Sequence, residues 1–337
     1  MPTAPSLAPA RTMKAVTHRR YGGPEVLGLA EVPRPVPAPG EVLVRVLAAG
    51  VSIGDHHLVT GKPYLVRLSP FGGLPGPKHP VPGAALAGRV EAVGEGVSGF
   101  GPGDEVMGQA AHGAFAEYVA LPAAALAPRP RTLSFEEAAA VPWGATAVQG
   151  LRDAGGLQPG QRVLINGASG AVGTWAVQVA KALGARVTAV CSTRHLALVR
   201  SLGADELVDY TCQDFVQGGA RFDVMFDIAG SRSLSECLEV LTPTGTYVAC
   251  SGSGGDWLGP LPALAGILAR SLLTRRKLKV FVMAPRQADL LLLKELVEAG
   301  KARPVLERTY PLAEAAEALR QVGEGHSQGL TVLRVAE

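Results

Sequence analysis

The residues whose spacing could do chemistry begin with Gly167, Gly170 and Gly173, set in the run RVLINGASGAVG that starts at Arg162. An apolar strand-like stretch (Val163, Leu164, Ile165) precedes them, and a helical stretch from Trp175 to Leu183 follows and stops at Gly184. Glycines between such elements let backbone come close to a pyrophosphate. The helix start adds unpaired N–H donors and a partial positive charge. The spacing is GxxGxxG, not the commoner GxGxxG, so the reading leans on context: a strand before, a helix after and a second strand at Arg186 to Cys191. The plainer alternative is that the glycines only permit tight packing of helix on strand.

A dinucleotide site has a second test at the end of its second strand. NAD-binding domains usually place a carboxylate there to accept the ribose hydroxyls. This chain reads Cys191-Ser192-Thr193-Arg194 at that point, with no acid. Hydroxyls and a guanidinium can donate to a 2′-phosphate, and Tyr210 is a third potential donor. Two charge-assisted hydrogen bonds of roughly 1.5 kcal/mol each would favour the phosphorylated cofactor about 100-fold. NADPH is therefore expected over NADH. The competing reading makes Ser192 a helix cap and leaves Arg194 in solvent.

These residues must be held by a larger frame. From Met13 to about Leu121, short β-type runs are punctuated by Gly and Pro, as in EVLVRVLAAGV from Glu41, ALAGRVEAVG from Ala85 and DEVMG from Asp104. Close spacing of that kind suggests a compact barrel-like β domain. Ser134 with Glu137 forms a capping box that opens a helix. Beyond it strands (162–167, 186–191, 206–209, 223–228, 246–250) alternate with helices (171–183, 194–202, 233–241), the pattern of a parallel sheet covered on both faces. Helices at Gln287–Ala299 and Leu312–Val322 flank a short strand. The apolar Leu330–Val335 is a last strand with no helix after it, which fits a return to the first domain.

Composition narrows the class. The 337 residues are 47% hydrophobic and 18% charged, with a net charge of +3, which suits a globular enzyme and offers no nucleic-acid footprint. The four cysteines (Cys191, Cys212, Cys237, Cys250) have no CxxC spacing, so reduced thiols in a cytoplasmic protein are expected. The most apolar stretch, Leu258 to Leu273, is broken by Pro260, Pro262 and Arg270, so no membrane association is expected. Residues 1–12 read as a flexible extension.

The segments GASGAVGTWAVQVAKALGARVTAVCST and VRSLGADELVDY, with MKAV at Met13, YGGPEVL, PGEVLVRVLAAGVS and GHSQGLTVLRV, resemble the medium-chain dehydrogenase/reductase superfamily. The likeness is to its zinc-free quinone oxidoreductase (zeta-crystallin-like) branch, near the reticulon-4-interacting mitochondrial reductases, and covers almost the whole chain. It implies an α/β fold. A Rossmann doubly wound parallel-sheet domain (137–294) would be inserted in a GroES-like β-barrel catalytic domain (13–136 plus 295–337), with the active site between them. By motif match, Ser169, Gly170, Ala171 and Val172 would meet the pyrophosphate, with Gly167 and Gly173 shaping the turn. Ser192, Arg194 and Tyr210 would hold the adenosine phosphate. Thr146 would lie near the nicotinamide, and Phe281, Val282 and His326 would line the cofactor from the far side, although Phe281 suits a core position equally.

Zinc-dependent members carry a Cys after the barrel strand and a later Gly-His-Glu. Here Ser52 replaces the thiolate, and Ala84 and Ala85 stand where the His and Glu would be. Zinc needs three or four N, S or O ligands, so no metal is expected, even with His56, His57, His79 and His112 available. Without a Lewis acid, the easier reaction is hydride delivery to an electron-poor acceptor, a quinone or an α,β-unsaturated carbonyl compound. Ser52, Asp55, His57 and Tyr64 are the candidate polar groups of the cleft, with a structural role equally open to each. The alternatives are a non-catalytic, crystallin-like NADPH-binding protein or a zinc-free alcohol/aldehyde oxidoreductase. A homodimer is expected by analogy.

Overall fold

The computed structural model describes residues 11–250, 261–271, 274–325 and 328–336, with the side chains of 262–264 left aside. Residues 1–10 of the expected extension therefore lie outside the described residues, and Thr12 already opens the first strand.

The β-type runs of the first third become β1 (Thr12–Thr17), β2 (Gly28–Pro33), β3 (Glu41–Val51), β4 (Ala85–Val93), β5 (Glu105–Gln109), β6 (Tyr118–Pro122) and β7 (Leu126–Pro128). The alternation in β3 decides its faces: Val42, Val44 and Val46 enter a core with Leu86, Phe115 and Leu121, while Arg45 points to solvent. The parallel strands follow as β8 (Arg162–Asn166), β9 (Arg186–Cys191), β10 (Glu206–Asp209), β11 (Phe222–Asp227), β12 (Leu241–Ala249) and β13 (Lys277–Val280), and the chain closes with β14 (Leu306–Pro311) and β15 (Leu330–Arg334).

Two large sheets result. One runs β14-β15-β3-β4-β5-β7 with β6 on β3, and the other β10-β9-β8-β11-β12-β13, every pair in the latter parallel. The terminal strand does return: β15 pairs antiparallel with β3, Thr331 opposite Val51. The central strands β8, β9 and β11 are buried along nearly their whole length, which is why they read as largely apolar runs, whereas the edge strands β10 and β13 are more exposed. Val163, Ile165, Val224 and Phe226 face one core, shared with Ala48, Ala87 and Met107 of the barrel strands. Leu164, Met225 and Tyr247 face the other. The fold is thus the mixed α/β arrangement expected.

Local signals set the helices that matter for the site. In α2 (Phe135–Ala140) the Ser134 side chain accepts from Glu137 N, and the Glu137 carboxylate accepts from Ser134 N at 2.8 Å, as the capping box predicts. Three expectations need correction, one being that the helix expected over 312–322 divides into a tight turn at Leu312–Glu314 and a helix at Ala315–Gly323. The helix expected over 194–202 is divided into a tight turn at Thr193–His195, closed by His195 N–H donating to Ser192 O at 2.9 Å, and a helix at Leu196–Ser201. β12 starts at Leu241, five residues before the expected strand, because pairing with β11 through an irregular register recruits the turn-like LTPTG. Among the described residues no helix is long and apolar enough to cross a membrane.

Candidate functional site

The glycine turn joins β8 to α4 (Ala171–Ala182). Gly167 has φ +92°, a left-handed conformation that favours glycine, and its N–H and that of Ala168 both donate to Val190 O. Gly173 is needed for a different reason. A Cβ there would sit 2.1 Å from Gly167 O, so the helix could not lie so close to the turn. Gly170 caps α4 with no side-chain hydrogen bond, which leaves first-turn donors for an anion.

Above this turn lies a cavity of about 570 Å³, bounded by the C-terminal ends of β8, β9 and β11. Gly167, Ser169, Gly170, Ser192, Arg194 and Tyr210 line it, so the structure brings together six of the thirteen expected cofactor residues. Arg194 is exposed and makes no ion pair among the described residues. Tyr210 is 57% exposed. Ser192 is buried, and as N-cap it makes no side-chain cap bond; its Oγ faces His195 Nδ1 at 3.4 Å. Asp209, the nearest acid on the neighbouring strand, is occupied by the hydroxyls of Thr193 and Thr211, which hold its carboxyl below the usual range.

The floor is a buried polar network. Asn166 Nδ2 donates to Asp227 Oδ1 at 2.8 Å and to Ser231 Oγ at 3.1 Å. Asp227 also accepts from Gly230 N–H at 2.9 Å and from the Tyr247 hydroxyl at 2.8 Å. Burial and the adjacent carboxylate push the Tyr247 phenol far above its ordinary pKa, so it stays a donor. This network ties the loop after β11 to the end of β8 and fixes one wall of the cavity. Arg232, on that loop, pairs with Asp214 at 3.1 Å.

The barrel contributes a separate group. Ser52 caps α1 (Ile53–Thr60), and Asp55 returns the bond: its Oδ2 accepts from Ser52 N at 2.9 Å and from Ser52 Oγ at 2.7 Å. Burial raises the Asp55 carboxyl to about 6, against the opposing pull of these hydrogen bonds. His57, half-buried on the same helix, is lowered by burial and meets His56 edge-on at 6.1 Å. Tyr64 stands elsewhere, with Arg67 over its ring at 4.7 Å, on a surface recess with Leu65, Leu68 and Leu74. His79 and His112 stack at 3.6 Å. Ala84 and Ala85 carry no donor side chain, and among the described residues no three His, Cys, Asp or Glu side chains are grouped to hold a metal.

Of the remaining expected positions, Ala171, Val172 and Gly173 form the first turn of α4, and Thr146 is buried on α3 (Gly144–Val148). Phe281 packs partly buried against the core, whereas Val282 is 87% exposed. His326 lies outside the described residues. Its neighbourhood does reach the turn: Gly329 N–H donates to Ser169 O at 2.9 Å, and Gly325 lines the cavity. Sequence reasoning did not single out Asn166, His195, Ser231 or Arg232. Their signal was positional, since ligands of parallel sheets collect at the C-terminal ends of strands.

Comparison with known proteins agrees with this architecture. Residues 38–131 match the profile described as alcohol dehydrogenase GroES-like domain, and 202–333 that described as zinc-binding dehydrogenase. The chain is 31% identical to the chloroplastic quinone-oxidoreductase QR1 of Triphysaria versicolor, over 96% of this chain and 98% of that protein. It is 34% identical to the mitochondrial NAD(P)H oxidoreductase RTN4IP1 of Mus musculus (97% and 90%) and 31% to the 2-methylene-furan-3-one reductase of Solanum lycopersicum (98% and 81%). Among solved structures, the quinone oxidoreductase from Coxiella burnetii superposes with a TM-score of 0.85 at 28% identity, covering 97% of this chain and all of that one (100%). A structure titled NAD-dependent alcohol dehydrogenase gives 0.82 at 35% identity, covering 96% and 100%.

Proposed function

Because this chain belongs to the medium-chain dehydrogenase/reductase superfamily and is an NAD(P)H-dependent oxidoreductase by its relatives, we propose that it is a zinc-independent reductase that prefers NADPH and acts on quinones or α,β-unsaturated carbonyl compounds. The observation that carries the cofactor preference is the rim at the end of β9. Arg194 stands there without an ion-pair partner among the described residues, beside Ser192 and Tyr210, and Asp209, the acid at the end of the neighbouring strand, is held by two threonines.

The cavity residues fit a dinucleotide. Gly173 clears the space beneath the turn, the first turn of α4 keeps its donors open, and the volume above takes a nucleoside phosphate. When bound, the nicotinamide would supply hydride. Ser169 and the α4 N–H groups would hold the pyrophosphate, and Arg194 the adenosine phosphate. Asn166 and Asp227 keep the opposite wall in place. Zinc does not fit: Ser52 gives its hydroxyl to Asp55, and Ala84 and Ala85 offer no ligand. An acceptor that spreads incoming charge over a conjugated oxygen needs no Lewis acid, which supports quinones and enones over simple alcohols. Burial raises the Asp55 carboxyl to about 6, and the Ser52 Oγ–Asp55 Oδ2 pair is the group we propose to return a proton to the reduced product. We also place the chain as a homodimer, to be read by its mass in solution.

The test is NADPH consumption against a panel of quinones, enones, aldehydes and alcohols, with elemental analysis of the purified protein. Turnover of quinones or enones by metal-free protein is expected. Activity confined to alcohols, or dependent on stoichiometric zinc, would sink the proposal, and tight NADPH binding with no turnover would favour a binding role.

A further inference from the structure

His195 was absorbed by none of the roles above, although it is buried and forms part of the cavity wall. Its Nδ1 lies 3.0 Å from Ser169 Oγ and 3.4 Å from Ser192 Oγ. One serine belongs to the glycine turn and the other to the end of β9. The ring therefore spans the two places where phosphate groups would dock. A serine hydroxyl has one proton to give. When Nδ1 is a bare acceptor, Ser169 can donate to it, and then offers only lone pairs to an approaching anion. When Nδ1 carries a proton, the bond reverses and the Ser169 proton turns outward.

We infer that His195 takes up a proton as the phosphorylated cofactor binds, and so converts Ser169 from a donor to the ring into a donor to phosphate. This rests on the NADPH reading of the cavity. The surroundings set the direction of the change. In the free protein, burial first and the Arg194 guanidinium next hold the ring below the ordinary histidine range, against an opposing pull from Glu307 on β14. Arg232 and Tyr210 share the cavity. The Cys191 thiol, pushed up to about 11 by burial, is uncharged at neutral pH, and Asp209 is engaged by Thr193 and Thr211. A docked phosphate neutralises Arg194 and adds negative charge beside the ring, so both changes raise its affinity for a proton. By linkage, NADPH affinity falls as pH rises between the ring's depressed value in the free protein and its raised value in the complex, by at most about tenfold per pH unit for one proton.

The experiment is calorimetric titration of the full chain with NADPH from pH 6 to 8, in pairs of buffers with different ionisation enthalpies. Net proton uptake is expected for the wild type. In His195→Asn, whose amide can still donate to Ser169, the uptake should vanish and the affinity should follow pH only through the cofactor's own phosphate. Equal proton counts in wild type and variant would overturn the inference, because a neutral tautomer would then suffice. Should the variant not fold, proton release by the wild type alone overturns it equally. Binding without uptake removes this inference and leaves the NADPH reading standing, whereas absence of NADPH binding removes both.

Discussion

The nucleotide cavity and the Ser52–Asp55 corner are both polar, yet they are built in opposite ways. The cavity is made mostly by backbone. Strand ends, a left-handed Gly167 and the tight fit at Gly173 create an opening at the start of α4, where Gly170 supplies no side-chain cap. The barrel corner is made by side chains that satisfy one another, with Ser52 and Asp55 closing a reciprocal cap. An open set of donors is a site that a ligand completes. A closed pair is a site that a ligand must either leave alone or use as it stands, with its proton already shared. The difference teaches that the glycine-turn cavity is shaped in advance of any ligand, while the barrel corner is already satisfied by its own side chains.

The comparison can be broken most severely at Gly173. Replacement by valine drives a Cβ into Gly167 O, and overpacking of this kind against backbone costs about 3 kcal/mol or more. Loss of measurable cofactor binding is expected, with a lowered melting temperature; unchanged binding would show that the turn is not backbone-limited. Next, Arg194→Glu should weaken NADPH binding about 100-fold while leaving NADH within a few-fold, read by fluorescence titration. Equal losses for both cofactors would refute the phosphate assignment.

The corner has its own signature. A carboxyl raised from 3.8 to about 6 favours the folded state fully at pH below its unfolded value, and that advantage is lost as pH rises through the folded value. Wild type minus Asp55→Asn should therefore show stability falling between about pH 4 and 6, by roughly 2–3 kcal/mol. A flat difference in denaturant unfolding would mean that the Asp55 carboxyl is not desolvated by burial. The smallest effect belongs to Tyr64→Phe. Because Tyr64 stacks with Arg67 and lines a surface recess that includes neither Ser52 nor Asp55, turnover should stay within about threefold, under 1 kcal/mol. A larger loss would bring Tyr64 back to the reacting group.

Much of the fold was legible because periodicity and punctuation are local. β3, β9 and β10 follow their apolar runs, and Ser134 with Glu137 starts α2 where the capping box says. The start of β12 was not legible, because Pro243 and Gly245 read as a turn until β11 supplies hydrogen-bond partners. The same division holds in the site. Ser169, Ser192 and Arg194 belong to motifs with recognisable context. Asn166, Asp227 and Tyr247 come from three strands and meet only when the strands align side by side.

What this chain's sequence determined alone was the turn, its glycines and the absence of an acid after the second strand, since each is a matter of neighbours in the chain. Tertiary structure decided that His195 bridges two serines 26 and 3 residues away, and that Asp209 is turned to threonines. It also decided that Asp55 is buried deeply enough to raise its carboxyl to about 6. Burial arises from what packs around a group, and most of that packing comes from residues distant in sequence, even where a hydrogen-bond partner such as Ser192 or Ser52 is only three positions away.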